Sequence, residues 1–180
     1  MIVSEDVSRV VAAFEDRLDG EAAKSRDLIL MLLALTPAPL SRAQFTPGHI
    51  TCTGLVLDPS GGKLLLVHHR RLGRWLLPGG HVEADDLEIA DAARREVGEE
   101  TGAILQNNAH PVLAGVDVHG IPGKGSEPYH LHHDLIFHFR ARSEAVRVSP
   151  ESRAVAWCSP EEFDRYGLPG SVRRCWERVR

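Results

Sequence analysis

Apolar residues follow one period in the first quarter of the chain and another in the rest. At the start, Val7, Val10, Val11 and Phe14 recur at helical spacing, as do Leu28, Met31, Leu32 and Leu35. The spacing predicts two amphipathic helices, Ser4–Leu18 and Ala22–Leu35. Ser4 is placed to cap the first, Gly20 to break the pair, and Pro37 with Pro39 to end the second. The period then shortens. Ile50–Leu57 is apolar and β-branched, Asp58–Gly62 is turn chemistry, and Lys63–Val67 is a second apolar run, which together predict a hairpin. A polar stretch from His68 to Arg74 leads to Trp75-Leu76-Leu77 and the breaker Pro78-Gly79-Gly80. Helical spacing returns over Leu87–Thr101, with Leu87, Ala90, Ala93 (or Arg94) and Val97 on its apolar side. Asp85 or Asp86 suits its N-cap, and Gly102 a left-handed C-terminal residue. Val112–Val118 and Leu131–Phe139 predict strands on either side of the glycine- and proline-rich Gly120–Pro128. Ala154–Trp157 predicts a last strand, and Pro160–Tyr166 and Val172–Val179 short helices. The order is two helices, then β, β, α, β, β, β, α. It predicts a mixed α/β domain over residues 49–180, preceded by a helical appendage over residues 1–48.

Composition narrows the class without naming a chemistry. Over 180 residues, 43% hydrophobic and 26% charged residues fit one globular domain and exclude a disordered tail, a collagen-like rod and a disulfide scaffold. A net charge of −4 offers no basic field, so no stable nucleic-acid partner is expected. The longest apolar run, Leu28–Leu35, is too short for a membrane span. Glu5 and Asp6 stand where a secretory signal would be positive, and three scattered cysteines suit a reducing compartment, so the expectation is cytoplasmic. Histidine is the one surplus: ten in all, six of them between residues 109 and 140.

Glu96, Glu99 and Glu100 are the residues most loaded with chemistry. Residues three and four apart share a helix face, so their carboxylates converge and repel. A hard divalent cation removes that repulsion, because Mg²⁺ takes oxygen ligands. The Gly79-Gly80 turn can bring a backbone carbonyl to the same ion. Gly98 costs the helix about 1 kcal/mol relative to alanine, which predicts the close approach of another backbone there.

The run from Gly80 to Ala103 resembles the Nudix box, the Gly-x5-Glu-x7-Arg-Glu-apolar-x-Glu-Glu-x-Gly-apolar signature of the Nudix hydrolases. Arg95, Glu96, Val97, Glu99, Glu100 and Gly102 match it residue by residue. Three positions depart: Asp86 stands at the first Glu of the box, the spacer to Arg95 is one residue longer, and Ala103 (with Ile104 beside it) fills the last aliphatic position. The resemblance covers about residues 49–157. It implies a Nudix-type α/β/α sandwich with a mixed sheet, and cleavage of the pyrophosphate in a nucleoside diphosphate linked to another moiety. ADP-ribose, a dinucleotide or a nucleoside triphosphate would be such a substrate. It also implies Mg²⁺ (or Mn²⁺) held by Gly80, Glu96, Glu99 and Glu100, catalytic roles for Glu99 and Glu100, and Arg95 orienting a glutamate. A distal general base is expected outside the box, with Glu127 as the candidate. Two alternatives keep the fold: a non-catalytic nucleotide sensor, and a diphosphate isomerase using Cys52.

The remaining polar clusters have two readings each. Arg70 or Arg74 holds a substrate phosphate, or the run from His68 to Arg74 is a solvated basic turn. Trp75 stacks on a base or belongs to the core. Alternation puts His132 and Asp134 on one face, and a hairpin partner would add Asp117 and His119. That face lines the substrate pocket, with His132 as a binding residue, holds a second metal, or is an outer sheet surface. The N-terminal helices cap the pocket, form a homodimer interface or complete the core.

Overall fold

The computed structural model describes residues 2–15, 20–108 and 110–180. Strand β1 (Gly48–Leu57) lies at the centre, and its two faces meet different layers. Ile50, Cys52 and Val56 point to one side and Leu55 and Leu57 to the other. Such alternation buries both faces of a central strand. The sheet runs β3 (Arg74–Leu76), β2 (Leu64–His69), β1, β6 (His130–Arg140), β5 (Leu113–Ile121), with β4 (Gly79–His81) on β1 and β7 (Ser152–Cys158) on β2. β1 and β6 are parallel; every other pairing is antiparallel, so the sheet is mixed.

Three helices cover the first face: α1 (Ser4–Ala12), α2 (Gly20–Leu35) and α3 (Ile89–Thr101). Val7, Val11, Ile29, Leu32 and Val97 join Ile50, Val56, Leu135, Phe137 and Phe139 in one buried cluster. Gly54 lets α3 come this close, because a Cβ there would overlap Val97. A 3-10 turn (Pro160–Glu162) and α4 (Gly170–Val179) cover the second face, where Phe163, Val172 and Trp176 pack on Leu55, Leu57, Leu64 and Ile136. The result is the expected α/β/α sandwich.

Several local expectations need correction. Gly20 begins α2 instead of separating the helices, and Asp16 to Leu18 lie outside the described residues. Ser4 is the first residue of α1 and supplies no side-chain cap. Met31 and Leu35 are exposed (56% and 74%), Leu28 and Val10 partly so, while Ile29, Leu32 and Leu33 are buried. Six consecutive apolar residues from Leu28 to Leu33 ring the helix, so periodicity could not choose its inner face. α3 starts two residues late. Its N-cap is Glu88 in a capping box with Asp91, and Leu87 is exposed. Gly102 ends it at φ 63°, as expected. The Gly79-Gly80 turn is the short strand β4, Trp75 lies in the short strand β3, and the Pro160–Tyr166 helix shrinks to the 3-10 turn. Nothing approaches within 4 Å of the place where a Gly98 Cβ would stand, so no backbone packs there and the structure does not explain that glycine.

Candidate active site

The sheet face under α4 is apolar only along part of its length. On β1 it runs His49, Thr51, Thr53 and then Leu55 and Leu57; on β6 it runs His130, His132, Asp134 and then Ile136. The polar end of this face forms the floor of a cavity of about 1010 Å³. Glu96, Glu99 and Glu100 reach it from α3, Gly79, Gly80 and His81 from β4, Asp117 and His119 from β5, and His132 and Asp134 from β6.

The carboxylates differ in environment. Glu99 is exposed, Glu96 is mostly buried, and Glu100 is only 6% exposed. The Gly79 N–H donates to Glu100 at 2.9 Å. Burial raises Glu100 to about 7 against that bond, and the neighbouring charges of Glu96, Glu151 and Glu99 add to the rise. Burial also raises Glu96. Arg95 draws the group together: it donates to Glu96 at 3.0 Å, to Glu99 at 3.2 Å and to the His81 carbonyl at 2.7 Å. Its fork also meets both oxygens of Asp86 at 3.2 Å. Asp86 is 5% exposed and receives the Glu83 N–H as well, so the residue at the first Glu of the box anchors Arg95. Glu83 itself stands 3.9 Å from Arg95.

These residues fit a divalent cation. Glu100 is a desolvated carboxylate whose charge is poorly compensated, which a bound cation would correct. Gly80 is pressed so closely to Glu96 that a Cβ would stand 2.5 to 2.9 Å from its carboxylate atoms. The absence of a side chain there keeps the Gly80 backbone and the Glu96 oxygens side by side.

Other expected site residues are spread around the cavity wall. Arg74 lines it at the start of β3. Arg70 also lines it, with its guanidinium donating to the Pro150 and Ser152 carbonyls at 3.1 and 3.0 Å. Trp75 faces the cavity and stands edge-on to Tyr166 at 4.9 Å, in the second apolar cluster. Across the β5–β6 pair, Asp117 sits opposite Asp134 and His119 opposite His132. Asp117 holds His119 at 3.0 Å, and this contact raises the His119 pKa. Asp134 is buried, accepts from Thr51 and Thr53 at 3.0 and 2.8 Å, and is raised by burial.

Glu127 instead pairs with Arg71 at 3.2 Å, off the cavity wall. Glu151, which nothing in the sequence singled out, does line the cavity, as does Arg42. Glu151 enters because the β6–β7 connection returns to this rim, a long-range placement with no local signal. Cys52 is fully buried facing the helices, and burial pushes its thiol well above the ordinary range, so the isomerase alternative has no reactive thiol there. All three cysteines are free and buried.

Comparison with known proteins agrees with this frame. A MutT-like protein from Streptomyces ambofaciens is 32% identical over 116 residues, 64% of this chain and 68% of the relative. A MutT Nudix hydrolase from Burkholderia pseudomallei superposes with a TM-score of 0.50 at 25% identity, over 73% of this chain and 97% of that one. The Nudix domain of Shewanella oneidensis NrtR, solved with ADP ribose, superposes with a TM-score of 0.55 at 17% identity, over 82% of this chain and 96% of that one, a likeness of fold alone. The NUDIX domain family model matches residues 48–175, and the chain belongs to the Nudix family. It is a pyrophosphohydrolase, a hydrolase of acid anhydrides, in a family whose enzymes use divalent metal.

Proposed function

We propose that the chain hydrolyses the pyrophosphate of a nucleoside diphosphate linked to a second moiety, using Mg²⁺ (or Mn²⁺) held by Glu96, Glu99, Glu100 and the Gly80 carbonyl. The observation that carries this is the convergence of three glutamates and the Gly80 backbone on one cavity wall. A cation held there supplies neutralisation of phosphate oxygens and acidification of water. The Gly79 N–H fixes the Glu100 carboxylate, and Arg95 fixes Glu96 and Glu99. Fixing these oxygens in advance removes reorganisation from the reaction. Glu99 and Glu100 orient the attacking water, and Glu151, which lines the same cavity and whose charge acts on Glu96 and Glu100, accepts its proton in place of Glu127.

Arg74 and the unspent N–H groups of Arg70 meet substrate phosphate, and His132 meets the sugar or second moiety. The cavity is at the upper end of small-molecule sites, large enough for both halves of such a substrate. No helix among the described residues is long and apolar enough to cross a membrane. We assign the protein to the cytoplasm, where its three free thiols stay reduced. A panel of ADP-ribose, dinucleotides and nucleoside triphosphates, read by nucleoside monophosphate release in Mg²⁺, tests the reading. Release from at least one class is expected; none from any class would overturn it.

A further inference from the structure

Three imidazoles stand together at the polar end of the sheet face under α4, where His81 and His132 line the cavity and His49 is buried beside them. β1 lies between β4 and β6, with His49 opposite His132 and Thr51 opposite His81. The register puts all three histidines on one sheet face. One ligand nitrogen from each lies within 4.8 Å of the other two. The ring centroids are 5.0 Å apart for His49–His81, 5.0 Å for His49–His132 and 5.6 Å for His81–His132.

His49 gives the second observation. It is 1% exposed, and its Nδ1 stands 3.1 Å from the Gln44 carbonyl. That bond requires the proton on Nδ1 and leaves a lone pair on Nε2. Nε2 is buried without a hydrogen-bond partner. A buried polar atom left unpaired costs about 1–3 kcal/mol. An Nδ1–H bonded to a backbone carbonyl, with the other nitrogen free, is the arrangement metal-ligating histidines adopt.

We propose that His49, His81 and His132 bind a transition-metal ion of the Zn²⁺ class, separate from the carboxylate site. Imidazole nitrogens suit Zn²⁺, Co²⁺ or Ni²⁺, whereas Mg²⁺ prefers oxygen, so the two sites sort their ions by donor. Around a tetrahedral zinc the nitrogens would sit about 3.4 Å apart, so the rings close by roughly 1 Å on binding. His81 and His132 face the cavity, which leaves the remaining coordination position open to it.

The test uses the full chain in excess Mg²⁺, which fills the carboxylates, and Co²⁺ as a coloured probe. One equivalent should bind and give the strong visible bands of a four- or five-coordinate nitrogen site, displaced by Zn²⁺. Affinity should fall at least about 100-fold in His81→Gln and in His132→Gln and persist in Glu96→Gln. ¹⁵N spectra of the unaltered protein should show three imidazoles shifting with Zn²⁺. The proposal is overturned if no imidazole shifts, or if the bands survive both histidine changes or vanish with Glu96→Gln. None of these readouts requires turnover, so they stand or fall apart from the hydrolytic reading.

Discussion

Replacing Glu100 with glutamine should make the metal-free protein more stable while abolishing its activity. Burial raises this carboxyl from its ordinary value of 4.5 to about 7. Below about pH 4.5 both folded and unfolded chains hold it protonated, and the folded state loses nothing. As pH rises, the unfolded chain ionises first, so stability falls until the folded group ionises near 7. The rise corresponds to about 3 kcal/mol once the pH is above both values. Glutamine never ionises and avoids that loss. It keeps an oxygen for the Gly79 N–H, and the charge assistance that goes with the carboxylate is already contained in the folded value of about 7. The net gain is therefore about 3 kcal/mol at roughly pH 8 in chelator, or about 6–12 °C in Tm for a chain of this size. It should fall below about 1 kcal/mol near pH 5. Thermal melts of both proteins across that range are the assay. Mg²⁺ should reverse the order, raising wild type well above the variant, and kcat should fall by about 10²-fold or more. A variant less stable than wild type at pH 8 without metal would show that the folded protein already compensates the charge, and would refute the reasoning.

Other changes separate orientation, metal access and packing. Arg95→Ala strands the buried Asp86 and frees Glu96 and Glu99, and should cost about 3 kcal/mol in urea unfolding as well as activity. Gly80→Ala intrudes only on the Glu96 side-chain carboxylate and should leave stability within about 1 kcal/mol while raising the Mg²⁺ needed for activity; Gly79→Ala meets the Cys52 carbonyl at 2.7 Å and should cost about 2–3 kcal/mol. Leu32→Ala should cost about 3 kcal/mol and Met31→Ala less than about 0.5, which checks the inner face of α2 by denaturant midpoint.

What the sequence disclosed follows from the range of the interactions involved. Glu96, Glu99 and Glu100 were legible because helical spacing alone puts them on one face. Gly102 was legible because a left-handed helix end favours glycine. Alternation on β6 separated His132 and Asp134 from Leu135 and Phe137, and the β5–β6 register then placed Asp117 and His119 beside them. Long-range placement was not legible. Glu151 joins the cavity through a β6–β7 connection, and His49 meets His81 and His132 only because β1 lies between β4 and β6. Neither Asp86 nor Glu88 could be assigned from local capping rules. Asp86 is taken by Arg95, nine residues on, and that leaves the cap to Glu88.

The Mg²⁺ activation curve tests the central claim most directly, taken on a hydrolysed substrate for wild type, Glu96→Gln and Glu99→Gln. Turnover should vanish in chelator, and both variants should need at least about tenfold more Mg²⁺ for half-maximal rate. Turnover that survives chelation, or curves that coincide for all three proteins, would contradict it.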